Sequence, residues 1–165
     1  MNPEPGMLEL KLFLLLLVAN GAPILSRKLL GSRFNYPLDW GLKTPGGRRW
    51  LGSSKTFRGV IAAVVATALL ALLLGFTWGF GVVFGFLAML GDLFTSFTKR
   101  RLGLPSSSRA NVLDQVPESV FPLIYCIPSL DLAWQSLFTI VMAFWLAGVL
   151  LSRLLYRIGI RRQPY

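Results

Sequence analysis

The chain has 165 residues, 54% of them hydrophobic, and a mean hydropathy of +0.60; it is too apolar for an ordinary soluble domain and reads as one polytopic membrane domain. It contains no histidine and a single cysteine, which excludes Ser/His and Cys/His triads, His-ligated zinc, thiolate metal clusters and intrachain disulfides. A net charge of +10 would suggest nucleic-acid binding in a soluble protein, but in a membrane protein the distribution of charge matters more than its sum.

The apolar pattern predicts an all-α fold of five transmembrane helices. The first span covers about residues 7–25, where an apolar block is followed by Asn20, Gly21 and Pro23, so its end should be bent. Glu4 and Glu9 stand where a cleaved signal peptide would carry basic residues, which argues against one. Residues 26–58 are polar, rich in Gly, Pro and basic residues, with Asp39 as the sole acid; they read as a loop or a set of short surface helices. The second span, about 59–76, is uncharged, and the turn at residues 77–79 is too short to cross anything, so the chain reverses tightly there. The third span, about 80–97, contains Asp92 in its later half. Gly81 and Gly85 form GxxxG, a pattern that serves the fold or a homodimer equally well.

A second polar segment follows at about 98–113. The apolar stretch after it, 119–130, is short of the ~20 residues a span needs and carries Pro122 and Pro128. Extended backward through Asp114, to about 114–130, it becomes a tilted or broken helix lining a cavity. Cys126 within it reads as packing. The fifth span covers about 132–151, with Trp134 as an interfacial anchor, and a basic tail follows. Every one of the 17 Lys and Arg residues except Lys11 falls in the two long polar segments or the tail. The positive-inside rule therefore places the N-terminus outside and both loops and the C-terminus in the cytoplasm of a multi-pass plasma-membrane protein. The excess charge is then orientation signal plus affinity for anionic lipid, not for nucleic acid.

Against this frame Asp92 stands out, because an intramembrane carboxylate is costly and marks a functional site by default. On a continuous helix Thr95, Ser96 and Lys99 share its face. The basic residues Lys99, Arg100 and Arg101 come next, then a Gly/Pro/Ser loop at 103–108, then Asp114 and Glu118 one helical turn apart. Two acidic positions flanking a basic cluster suit a divalent cation and a polyphosphate. The structural alternatives are an ion pair of Asp92 with Lys55 or Lys99, and helix capping by Asn111 or Asp114. Residues 46–56, GGRRWLGSSKT, look at first like a phosphate-binding P-loop, but Lys55 comes two residues late and a membrane helix follows. A Gly/Ser-rich loop entering a helix with Lys55, Thr56 and Arg58 still offers N–H groups, a hydroxyl and cations to a phosphate. Arg48 and Arg49 read as juxtamembrane anchors.

The pieces ANGAP at 19–23, GSSKTFRG at 52–59 and GDLFTSFTKRRLG at 91–103, with LDQ at 113–115, resemble the CDP-archaeol synthases, small five-helix relatives of the CDP-diacylglycerol synthases. The resemblance covers most of the chain in the same order, and GDxxxSxxKRxxG…DQ is its specific part. It implies a CTP-dependent, Mg²⁺-dependent cytidylyltransferase of phospholipid biosynthesis, moving CMP from CTP to a phosphatidic-type membrane lipid and releasing pyrophosphate. On that reading Asp92, Lys99 and Asp114 are catalytic, Asp92, Asp114 and Glu118 hold the metal, and Asn20, Lys55, Thr56, Arg58, Ser96 and Arg100 bind substrate. One departure stands: archaeal members typically read DQxD, whereas here Pro117 replaces the second acid and Glu118 follows it. A lipid phosphate brings its own nucleophile, which suits a site without histidine. A CTP-dependent polyprenol or phytol kinase, and a small transporter or scaffold, are the alternative readings. Ether-linked isoprenoid and ester-linked acyl chains are both simply apolar to a lateral groove, so the resemblance leaves the lipid open.

Overall fold

The computed structural model describes residues 6–104 and 111–157, the side chains of 111–114 and 151–157 excepted. These residues form five α-helices: α1 Met7–Leu30, α2 Phe57–Leu73, α3 Trp78–Arg101, α4 Asn111–Leu130 and α5 Trp134–Arg157. The described residues contain no β-strand, only two isolated antiparallel bridges, Pro37 with Thr56 and Lys43 with Arg49.

The helices begin and end at different places from the apolar runs, and each difference has a local cause. α1 does not end near residue 25 but continues through Pro23 to Leu30. Proline removes one intrahelical donor without obliging the helix to stop, and Arg27 and Lys28 then meet the negative end of the helix dipole. Gly31, at φ 55°, ends the helix, its N–H bonded to the carbonyl of Arg27. α3 likewise runs beyond 97 to Arg101, so Lys99, Arg100 and Arg101 form its last turn and are not part of the loop. α4 is continuous from Asn111 in spite of Pro117, Pro122 and Pro128, and α5 reaches Arg157 within the basic tail. Residues 31–56 hold no helix and form a compact loop.

The core is built from Leu12, Leu15 and Leu16 of α1, Phe80 and Phe84 of α3, Leu123 and Cys126 of α4, and Ile140 and Phe144 of α5. Two helix contacts rest on glycine. A Cβ at Gly81 would lie 2.6 Å from Ala68 Cα, and one at Gly85 3.1 Å from Val64 Cα, so the GxxxG face of α3 packs on α2 within the chain. A Cβ at Gly91 would lie 2.2 Å from the Pro117 carbonyl oxygen and 2.8 Å from Glu118 Cα, which puts α4 directly on α3 beside Asp92.

Outward faces are apolar. Ile61, Val65, Leu69 and Leu72 on α2, and Phe138, Met142, Leu146 and Leu150 on α5, are exposed at helical spacing. Such stripes suit lipid as their solvent. α1 and α3 are long and apolar enough to cross a membrane, and α2 is a shorter apolar helix. The ends of α1 and α5 away from the basic loops are tied by Ser136, whose hydroxyl donates to Glu9 Oε1 at 2.7 Å.

Candidate active site at the basic end of the bundle

The C-terminal ends of α1 and α3 and the N-terminal ends of α2 and α4 meet at one end of the bundle, and the 31–56 loop folds over them. Its organiser is Asp39, whose side chain is 1% exposed. Oδ1 accepts from Gly41 N at 3.1 Å and Arg49 Nη2 at 2.5 Å; Oδ2 accepts from Gly52 N at 3.0 Å, Leu51 N at 3.2 Å and Arg49 Nε at 3.3 Å. Burial alone would raise the Asp39 pKa, but the Arg49 guanidinium and the three backbone N–H groups outweigh it and hold the carboxyl at about 2.

The loop docks on the end of α3 by reciprocal arginine contacts. Arg48 Nη1 donates to the Arg101 carbonyl at 3.2 Å, and Arg101 Nη2 donates to the Arg49 carbonyl at 3.3 Å. The Trp50 ring lies 5.8 Å from that of Phe97, and the Arg101 guanidinium sits 5.0 Å above Phe97. Between loop and helix lies a cavity of about 250 Å³ lined by Arg48, Arg49, Gly52, Ser53, Arg100, Gly103 and Leu104. Three guanidinium groups around one cavity suit a polyphosphate.

At the same end of the bundle, Lys55 reaches from the entry of α2 to α3 and donates from Nζ to both carboxylate oxygens of Asp92, 2.5 Å from Oδ1. The two side chains are 21% and 22% exposed. Ser53 of the cavity is two residues from Lys55, and Arg100 lies about two helical turns along α3 from Asp92. The predicted polar face of α3 is present: Thr95, Ser96 and Lys99 are all buried, and so is Arg100 of the basic cluster. Thr95 donates its hydroxyl to the Gly91 carbonyl at 3.0 Å. Glu118, half-buried, has its backbone against Gly91, the residue before Asp92. Asp114 lies one turn before Glu118 on α4, with its side chain outside the described residues. Among the described residues no group of three carboxylate, thiol or imidazole side chains comes together.

Three of the residues expected to bind substrate make hydrogen bonds within the framework. Thr56 caps α2, accepting from Gly59 N at 3.2 Å. Arg58 is buried and donates from Nη1 to the carbonyls of Gly31, at 3.0 Å, and Arg33, tying α2 to the turn after α1. Asn20 donates to the Leu16 carbonyl within its own helix at 3.1 Å. Arg48, Arg49 and Ser53 line the cavity and Asp39 holds Arg49 there, although Arg48 and Arg49 read as anchors in the sequence. The available signal was the lone acid in a basic segment, since a carboxylate there must find a cation.

The sequence model of the family described as CarS-like CDP-archaeol synthase matches residues 7–165. The chain belongs to that family. The CDP-archaeol synthase of Sulfurisphaera tokodaii is 36% identical over 158 residues, covering 90% of each chain. That of Methanopyrus kandleri is 45% identical over 86 residues, 48% of this chain and 50% of its own. A solved structure described as an intramembrane enzyme for archaeal membrane lipids biosynthesis superposes with a TM-score of 0.67 at 29% identity, over 84% of this chain and 89% of that one. The five-helix membrane fold and the CDP-archaeol synthase resemblance read from the sequence both hold. This family member carries an arginine-lined cavity and a cation-paired carboxylate at one end of the bundle.

Proposed function

We propose that the chain transfers CMP from CTP to a membrane lipid phosphate at its basic, cytoplasmic end, giving a CDP-lipid and pyrophosphate. The observation that carries the reading is the cavity lined by Arg48, Arg49 and Arg100, on the same end of the bundle as the Lys55–Asp92 pair. A lipid phosphate oxygen attacks the α-phosphorus of CTP, and the bond to the β-phosphate bridging oxygen breaks. The guanidinium groups hold the β- and γ-phosphates by charge-assisted hydrogen bonds and so stabilise the departing pyrophosphate. Lys99, buried on the same helix face as Asp92, adds positive charge there, and Ser96 orients a substrate oxygen.

The donors available to a metal fit Mg²⁺. Asp92, Glu118 and Asp114 would hold it through hard carboxylate oxygens, and the ammonium of Lys55 on both Asp92 oxygens marks a place where a cation is already favoured. When bound, Mg²⁺ would supply neutralisation of the triphosphate charge. In this reading Lys55 turns from Asp92 to phosphate once nucleotide enters. The acceptor is a phosphatidic-type lipid, reached from the bilayer. The test is mass spectrometry of products made from CTP by the purified protein with diacyl and diphytanyl phosphatidic-type acceptors. CDP-lipid and pyrophosphate are expected; phosphorylated alcohol and CDP would make the protein a kinase, and absence of CTP turnover would reject both.

A further inference from the structure

We propose that Asp39 is a positioning residue that holds the arginine-lined cavity in its phosphate-binding shape. The inference rests on the nucleotide reading of that cavity. Two of the cavity's wall residues, Arg49 and Gly52, are bonded directly to the Asp39 carboxylate. Asp39 takes the Nε and Nη2 edge of Arg49, so the edge left for the cavity is Nη1. The same carboxylate fixes the backbone at Leu51 and Gly52, where Gly52 adopts φ 102°. That conformation is natural for glycine and strained for other residues. Ser53, the next residue, lines the cavity, and the Lys55 N–H closes back on the Gly52 carbonyl at 3.3 Å. One carboxylate therefore sets the cavity wall and the turn that delivers Lys55 to Asp92.

The charge arrangement explains why a carboxylate is needed here. Arg48, Arg49 and Arg100 line one small space, and like charges brought together repel one another. Asp39, the only acid among residues 26–58, holds one of the three in place from behind, before any phosphate arrives. A site organised in advance loses less ordering entropy when ligand binds. Asparagine has the same shape but turns an NH₂ donor toward N–H donors that require an acceptor, so it should release Arg49 and loosen the turn.

The experiment is a double-mutant cycle on CTP binding and turnover. Titration calorimetry of CTP is run on the unmodified protein, Asp39→Asn, Arg49→Ala and the double variant, alongside steady-state kinetics and melting temperature. Asp39→Asn is expected to raise Kd and KM for CTP about tenfold or more, as expected for lost hydrogen bonds to a charged group, and to change kcat less than about threefold. Arg49→Ala should weaken CTP binding strongly in the unmodified protein and much less in the Asp39→Asn background, because the two act through one contact. Additive effects would overturn the proposal. So would a lowered melting temperature with Kd and KM unchanged, which is the signature of a purely structural residue. Should Asp39→Asn not survive purification, Asp39→Glu replaces it: it keeps the charge but displaces Arg49, and unchanged CTP affinity in that variant would equally overturn the proposal. If the unmodified protein neither binds nor turns over CTP, the nucleotide reading fails and this one with it; binding by the unmodified protein with equal binding by Asp39→Asn removes the positioning role alone.

Discussion

A carboxylate at Asp92 and an ammonium at Lys55 share one contact at the edge of the apolar bundle, and neither is cheap to leave alone. Asp92→Asn keeps shape but strands Lys55, so both turnover and melting temperature should fall. Pairing it with Lys55→Met removes the stranded charge and should restore most of the melting temperature. Turnover should stay down by about three orders of magnitude or more, consistent with the loss of several kcal/mol of charge stabilisation. An active Asp92→Asn protein would reject Asp92 as a site residue. Glu118, next to Gly91 and half-buried, answers a separate question: Glu118→Gln should raise the Mg²⁺ concentration needed for half-maximal rate, and an unchanged titration would assign it to helix packing. Asp39 gives a pH prediction. Its folded pKa is depressed from 3.8 to about 2, so its stabilisation is fully present above the unfolded value and is lost as pH falls through the folded one. The melting-temperature gap between the unmodified protein and Asp39→Asn should therefore be constant from neutral pH down to about 4 and close only below it.

At the scale of elements, Gly91 makes the most specific demand. A side chain there would strike the Pro117 carbonyl at 2.2 Å, a backbone atom that cannot swing aside, so Gly91→Ala must push α4 off α3. Overpacking of this kind costs about 1–3 kcal/mol, and here it would also move Glu118 away from Asp92. A lowered melting temperature with a raised Mg²⁺ requirement is expected; Gly85→Ala, whose tightest contact is a side-chain atom at 3.0 Å, should lower stability alone. The sequence announced these helices but not their contacts. Hydropathy marks where apolar residues stop, not where backbone hydrogen bonds stop, so the apolar runs of α1 and α3 end before the basic last turns of the helices. The polar face of Asp92, Thr95, Ser96 and Lys99 was legible because helical spacing alone defines it. The 31–56 loop was not: it is held by backbone donors converging on Asp39, and such bonds leave no periodic trace in sequence. For the same reason Arg49 looked like a membrane anchor when its guanidinium in fact faces a carboxylate and a cavity.

For the whole molecule, the apolar outer stripes and the uneven charge are the grounds for the proposed orientation. Lys11, on the first half of α1, sits 5.7 Å from the Phe76 ring, away from the cavity; in the sequence the other 16 of the 17 basic residues fall in the two long polar segments or the tail. Basic residues flanking short loops stay on the cytoplasmic side during insertion, and CTP is a cytoplasmic substrate, so charge and proposed chemistry demand the same orientation. The single buried cysteine makes this testable with little disturbance. In a Cys126→Ala background, Lys43→Cys reports on the exposed loop and Ser129→Cys on the exposed end of α4. A membrane-impermeant maleimide added to intact cells should label Ser129→Cys and spare Lys43→Cys, and inside-out vesicles should reverse the pattern. Labelling of Lys43→Cys in intact cells would put the arginine-lined cavity on the outer face, away from CTP, and would overturn the orientation and the proposed nucleotide site together.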